Sequence, residues 1–195
     1  MIPFKENRSY RRFHQQIPIP QEHLLSMVEA ARYSPSSRNV QPIKYFISNN
    51  RQINHQLFPS LAWAGYLNDW DGPQEGERPS AYIILLHDKD ISASYSCDNG
   101  IFAQSILLRA VELGWGGCMI ASIKKAEIIT TLNLPGNLDP ILVIALGKPK
   151  ENVVVDLATD GNIKYWRDAN GTHHVPKRGM EELIWNKAFD PSDPK

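Results

Sequence analysis

Apolar side chains recur at helical steps in some stretches of this chain and in unbroken runs in others, and the two patterns alternate. Over 21–33, Leu24, Val28 and Ala31 share one face of a helix. Pro20 suits its first turn, where a missing N–H costs nothing. Pro35 ends it, and Pro35 to Pro42 reads as a polar loop. Residues 43–48 (IKYFIS) read as a strand and 51–61 as a short helix. The run 81–87 (AYIILLH) is continuously apolar, which suits a strand covered on both faces. Over 98–113, Phe102, Ile106, Ala110 and Leu113 form the clearest helical face, and Gly114 is a natural stop. A short strand at 117–121, a helix at 124–132 halted before Pro135, and a buried strand at 141–147 (ILVIALG) follow. Beyond them lie a strand at 153–156, a polar turn and a helix near 179–187. Strands thus alternate with helices around a sheet covered on both faces, and the alternation alone leans towards parallel strands.

Between these elements, residues 66–80 (YLNDWDGPQEGERPS) form a long loop rich in Gly, Pro and charge, the composition of a functional or mobile segment. No internal repeat interrupts the pattern, and 195 residues are a normal length for one domain, here 1–187 with a frayed tail at 188–195. Twenty-one basic residues balance 21 acidic ones, which removes the electrostatic reason to expect nucleic acid or a membrane as partner. No segment approaches the ~18 apolar residues of a membrane span. The opening MIPFKENRSYRRF lacks the apolar run of a secretory signal, and the two cysteines form no pair motif, so a reducing, cytoplasmic setting is expected.

Four clusters carry candidate chemistry. Arg8-Ser9-Tyr10-Arg11-Arg12-Phe13 concentrates guanidinium forks and a hydroxyl, a donor set that matches phosphate oxygens and equally suits a solvated basic segment. Ser34-Pro35-Ser36-Ser37-Arg38-Asn39-Val40-Gln41-Pro42 suits a loop that wraps a polar ligand, or an ordinary connection. Gly114-Trp115-Gly116-Gly117-Cys118-Met119-Ile120-Ala121-Ser122 lets backbone approach a flat ligand, or makes a tight turn from helix to strand; it is not GxGxxG. His173-His174-Val175-Pro176-Lys177-Arg178 supplies late basic residues. Its adjacent histidines point to opposite sides of an extended chain and lack companion ligands, which argues against metal. There is no GxSxG, Cys118 reads as a small buried hydrophobe, and Asp69, Asp71 and Asp98 show no paired spacing. Trp63, Tyr66 and Trp70 suit core or loop anchoring as well as a substrate surface.

In this order and spacing, over about residues 5–187, the four clusters resemble the nitroreductase family of FMN enzymes. Arg8 to Phe13 follows its Arg-Ser-x-Arg-x-Phe opening. Ala31 to Pro42 follows its Ala-x-x-Ser/Ala-Pro-Ser-x-x-Asn-x-Gln-Pro loop. Leu113 to Cys118, Gly147-Lys148-Pro149 and Lys177-Arg178 complete the pattern. The resemblance implies an α+β fold, with a mainly antiparallel central sheet flanked by helices and closed as an intertwined homodimer. It implies that Arg8, Ser9 and Arg11, assisted by Lys177 and Arg178, hold the FMN phosphate and ribityl chain. Pro35, Ser36, Ser37 and Asn39 would reach the flavin from the partner subunit, and Met119, Ile120 and Ala121 would line the isoalloxazine through backbone groups. The implied activity is ping-pong electron transfer from NADH or NADPH through FMN to a small acceptor, nitroaromatic or quinone-like, with no catalytic acid or base. Reductive dehalogenation, flavin fragmentation and non-catalytic FMN binding are the alternatives on the same scaffold. The chain departs from better-known members in lacking a longer helical insertion between 48 and 81; Trp63 to Trp70 and Gly72-Pro73 stand there instead. Arg38 has no counterpart role.

Overall fold

The computed structural model describes residues 4–186. The chain divides into two compact units, with the boundary between Glu151 and Asn152. In the first, β1 (Ile43–Ser48), β2 (Ala81–Asp88), β3 (Gly116–Ile120) and β4 (Leu138–Gly147) form a sheet in the order β1-β2-β4-β3. Every neighbouring pair is antiparallel. The lean towards parallel strands is therefore corrected, and the α+β architecture with a mainly antiparallel sheet holds. Periodicity reports which face a side chain takes and carries no information on the direction of the neighbouring strand.

The unbroken apolar runs follow from helices on both faces. Ile83 and Leu85 of β2 and Ile144 and Leu146 of β4 pack with Leu24, Met27, Phe102 and Ile106 of α1 (Gln21–Arg32) and α3 (Asp98–Glu112). Tyr82, Ile84 and Leu86, with Val143 and Ala145, alternate onto the other face. There they meet Leu57 of α2 (Arg51–Leu57), Ile128 of α4 (Lys125–Leu132), and Leu61 and Trp63 beyond a 3-10 turn at Phe58–Ser60. That turn shortens the helix expected over 51–61. Gly114 ends the α3 region in a left-handed conformation, at φ 78°. Strand β4 begins three residues earlier than its apolar run, because the pairing shifts between Leu85 and Leu86 and admits Pro140 opposite Leu86. A bulge is where a strand tolerates a residue without an N–H. Residues 66–80 are a string of tight turns tied to the core by Trp63, which is 9% exposed. Gly72, at φ 118°, lies so close to that indole that a Cβ would come within 2.6 Å of it.

In the second unit, β7 (His173–Lys177) runs between β5 (Val153–Leu157), to which it is parallel, and β6 (Trp166–Arg167), to which it is antiparallel. Two of these strands escape the apolar pattern, since β6 has two residues and β7 is polar. The adjacent histidines do face opposite ways. His173 is fully buried beside Tyr165, whereas His174 stacks on Trp166 at 4.1 Å and its Nδ1 lies 2.8 Å from Asp156 Oδ2. A single turn, α5 (Met180–Leu183), occupies the start of the helix expected at 179–187. Residue 187 and the expected tail at 188–195 lie outside the described residues. No helix among the described residues is long and apolar enough to cross a membrane.

Candidate functional site

The segment around Arg8–Phe13 lies flat along the exposed edge of β3 and the end of β4. Ser9 bridges Gly117, and the Tyr10 N–H donates to the Gly117 carbonyl at 3.0 Å. Phe13 N–H donates to Glu77 O at 2.9 Å, His14 N–H to Lys148 O at 2.8 Å, and Lys150 N–H to Arg12 O at 2.9 Å. Glycines make this approach possible. A Cβ on Gly116 would meet the Tyr10 ring at 2.5 Å, and one on Gly147 would meet the Phe13 ring at 2.8 Å. Of the two readings of the glycine-rich segment, close approach to a flat ligand or a tight turn from helix to strand, the second describes Gly116, where the protein's own Tyr10 takes the space.

The three arginines then part. Arg12 forms a two-pronged ion pair with Glu77, both N···O distances 2.6 Å, and Lys150 Nζ joins the same carboxylate at 2.9 Å. These donors hold the Glu77 carboxyl at about 2, well below its ordinary range. Arg12 is thereby a structural cation. Arg8 folds back, its Nε donating to Asn7 O at 2.7 Å and its Nη2 to Phe4 O at 3.1 Å, both neutral acceptors. Arg11 donates from Nη1 to Ser9 O at 3.3 Å and walls a cavity of about 180 Å³. The backbone carrying Arg11 and Arg12 is pinned by Glu151, which is 8% exposed and accepts both main-chain N–H groups, that of Arg12 at 3.1 Å. Glu77 and Glu151 escaped the sequence reading because each stands alone, 65 and 139 residues from Arg12.

The Arg11 cavity is completed by Ala62, Trp63, Ala64 and Gly65 and by Cys118 through Ser122 at the end of β3. Met119, Ile120 and Ala121 therefore share a cavity with Arg11. The Ala62 N–H donates to Ser122 O at 3.0 Å, and Leu61 bridges Ile123, so the two walls are stitched together. Burial pushes the Cys118 thiol up, which suits the small-hydrophobe reading and not a nucleophile.

Pro35, Ser36, Ser37 and Asn39 are elsewhere in the unit and do not line this cavity. They lie between α1 and β1, beside the start of α3, where Ser36 Oγ donates to Asp98 Oδ2 at 2.6 Å and Ser37 N–H to Asp98 Oδ1 at 2.9 Å. Lys177 and Arg178 belong to the second unit. Lys177 closes β7, its carbonyl accepting from Ala158 N–H at 2.8 Å, and Arg178 Nη1 pairs with Glu182 at 2.8 Å.

The four-stranded antiparallel sheet between helix pairs, with a basic segment laid along β3, is the α+β arrangement of the nitroreductase fold. An FMN-dependent nitroreductase from Clostridium difficile R20291 superposes with a TM-score of 0.65 at 21% identity, covering 97% of this chain and all of that one. The pattern of the Nitroreductase family matches residues 5–148, and the chain belongs to that family. A Methanothermobacter thermautotrophicus protein named as an NADH dehydrogenase/NAD(P)H nitroreductase is 26% identical over 154 residues, 76% of each chain. The iodotyrosine deiodinase of Nematostella vectensis is 21% identical over 198 residues, 92% of this chain and 72% of that protein.

Proposed function

We propose that this protein is a cytoplasmic, homodimeric oxidoreductase that uses FMN to pass electrons from NADH or NADPH to a small nitroaromatic or quinone-like acceptor. One observation carries the reading: Arg11 and Met119, Ile120 and Ala121 line the same cavity. The residues fit FMN. Arg8, Ser9 and Arg11 offer the charged forks and hydroxyl that a phosphate and ribityl chain require. Met119, Ile120 and Ala121 offer main-chain groups to the edge of a flat ring, and Trp63 supplies apolar wall. Lys177 and Arg178 are further basic residues that the family resemblance assigns to the phosphate.

The cavity is a shallow part of the proposed site. About 180 Å³ is small beside the ~300 Å³ and more of a typical ligand pocket. In the proposed dimer a second copy completes the enclosure, with its Pro35, Ser36, Ser37 and Asn39 as the contributing loop. FMN, when bound, supplies the electron transfer; the protein supplies binding, orientation and exclusion of water. Turnover by this route is ping-pong and requires no acid or base from the chain.

The visible spectrum tests the proposal. The protein loaded with FMN should show an oxidised-flavin spectrum that bleaches with NADH or NADPH; a chain that cannot be loaded, or one that neither nicotinamide bleaches, would overturn it. Arg8→Ala and Arg11→Ala should each weaken FMN binding about ten- to a hundredfold, from the loss of a charge-assisted bond of roughly 1.5–3 kcal/mol. Fluorescence titration measures this directly. The likeness to iodotyrosine deiodinase over 92% of the chain favours reductive dehalogenation as a second reading. Anaerobic release of iodide from an iodinated phenol, faster than reduction of a nitroaromatic, would select it.

A further inference from the structure

The loop between α1 and β1 has three non-glycine residues in left-handed backbone conformations. Arg38, Asn39 and Gln41 have φ values of 51°, 58° and 54°, left-handed conformations in which residues with a Cβ are strained. Ser37, Arg38, Asn39, Val40 and Gln41 are all exposed, so no core packing enforces that shape. Turn bonds within the loop, from Asn39 N–H to Ser36 O at 2.9 Å and from Val40 N–H to Ser37 O at 3.1 Å, and two tethers to helix α3 hold it. Ser34 Oγ and Ser105 Oγ are 2.6 Å apart. About two turns before Ser105, Asp98 receives the Ser36 hydroxyl at 2.6 Å and the Ser37 N–H at 2.9 Å. Ser36 Oγ in turn accepts from Gln41 N–H at 2.9 Å, which closes the loop on itself. Asp98 is 1% exposed and its helix is rooted in the core by Phe102 and Ile106. A buried carboxylate of this kind is a fixed reference point.

We propose that Asp98 is a positioning residue for the flavin of the opposite subunit, acting through Ser36 and Ser37 to present the strained 37–41 loop. This inference rests on the FMN site and homodimer described under Proposed function. Strain held by a buried anchor, with residues 37–41 all exposed, suits a loop that meets a ligand outside its own chain. Ser36, whose hydroxyl is occupied by Asp98 and the Gln41 N–H, shapes the loop; Ser37 and Asn39 are the residues it delivers.

Mixed dimers of the full-length chain provide the test. Asp98→Asn replaces one accepting oxygen with an NH₂ group that cannot receive both donors. It should weaken FMN binding about tenfold or more, a change on the scale of one lost hydrogen bond to a charged group. Arg11→Ala is defective in the same titration. A dimer carrying one subunit of each kind, isolated through two different tags, has one site with an intact Arg11 and an intact partner loop. It should bind one FMN per dimer with wild-type affinity, a rescue that a purely structural defect in the Asp98→Asn subunit would not show. Wild-type affinity in the Asp98→Asn homodimer, or an empty mixed dimer, would overturn the inference while leaving the FMN site standing. A wild-type chain that takes up no FMN would remove both. If Asp98→Asn fails to fold, Asp98→Glu, which keeps both accepting oxygens but moves them by one methylene, takes its place in both arms.

Discussion

Glu77 shows how a residue unremarkable in sequence sets the geometry around the arginines. Its carboxyl is held at about 2 against an ordinary 4.5, first by the Arg12 hydrogen bonds and then by Lys150. A depressed acid stabilises the fold above its unfolded value, and that contribution disappears as pH falls from about 4.5 towards 2. Thermal melts of wild type and Glu77→Gln should therefore differ at neutral pH and converge across that window. A gap that stays constant down to pH 2 would deny the ion pair its role. Gly147 makes the companion case. An alanine there must displace Phe13, which is fully buried, or bend β4. Gly147→Ala should cost roughly 1–3 kcal/mol in a denaturant melt. It should also weaken FMN binding, because Phe13 and Arg11 share one extended segment.

At the scale of elements, α1 and α3 form one layer over the sheet, and the Ser36–Asp98 tether joins the loop that follows α1 to the first turn of α3. Ile106 is fully buried between them and the sheet. Ile106→Ala should cost about 2–5 kcal/mol by urea unfolding; a loss below 1 kcal/mol would mean that the layer collapses freely around the gap. These helices were legible because apolar residues repeat at three and four positions, and β2 and β4 because their runs are unbroken. The start of β4 was not, since Asp139 and Pro140 look like a turn and only the bulge opposite Leu85–Leu86 makes them strand. Nor were β6 and β7. His173 and His174 alternate between a buried and a solvent-facing side like any strand, but their polarity conceals it.

For the whole molecule, the question is how many copies make a site. Leu25, Tyr33 and Val40 are exposed on α1 and the loop that follows it, at 52%, 74% and 37%. If two copies enclose each FMN, cofactor release and subunit dissociation are linked equilibria. Dilution should then release FMN over the concentration range in which sedimentation shows monomers appearing. FMN retained by a monomer would separate the two and refute the shared site.

From the sequence alone came the helices, the strands covered on both faces, the family, and the residue types suited to FMN. The elements and residue types are local, since periodicity and turn chemistry are written within a few residues, whereas the family came from the order of four motifs along the chain. Tertiary structure decided strand direction, which depends on the neighbour across the ladder. It also divided the labour of Arg8-Ser9-Tyr10-Arg11-Arg12-Phe13. Arg11 walls the cavity, whereas Arg12 goes to a carboxylate 65 residues away. Gly116, in a segment that suited a ligand's approach or a tight turn, makes room for Tyr10. Asp98, without any paired spacing in sequence, became an anchor because α3 brings it beside Ser36 across 62 residues of chain. Charge pairing and steric fit are set by distance in space, and distance along the chain does not report it.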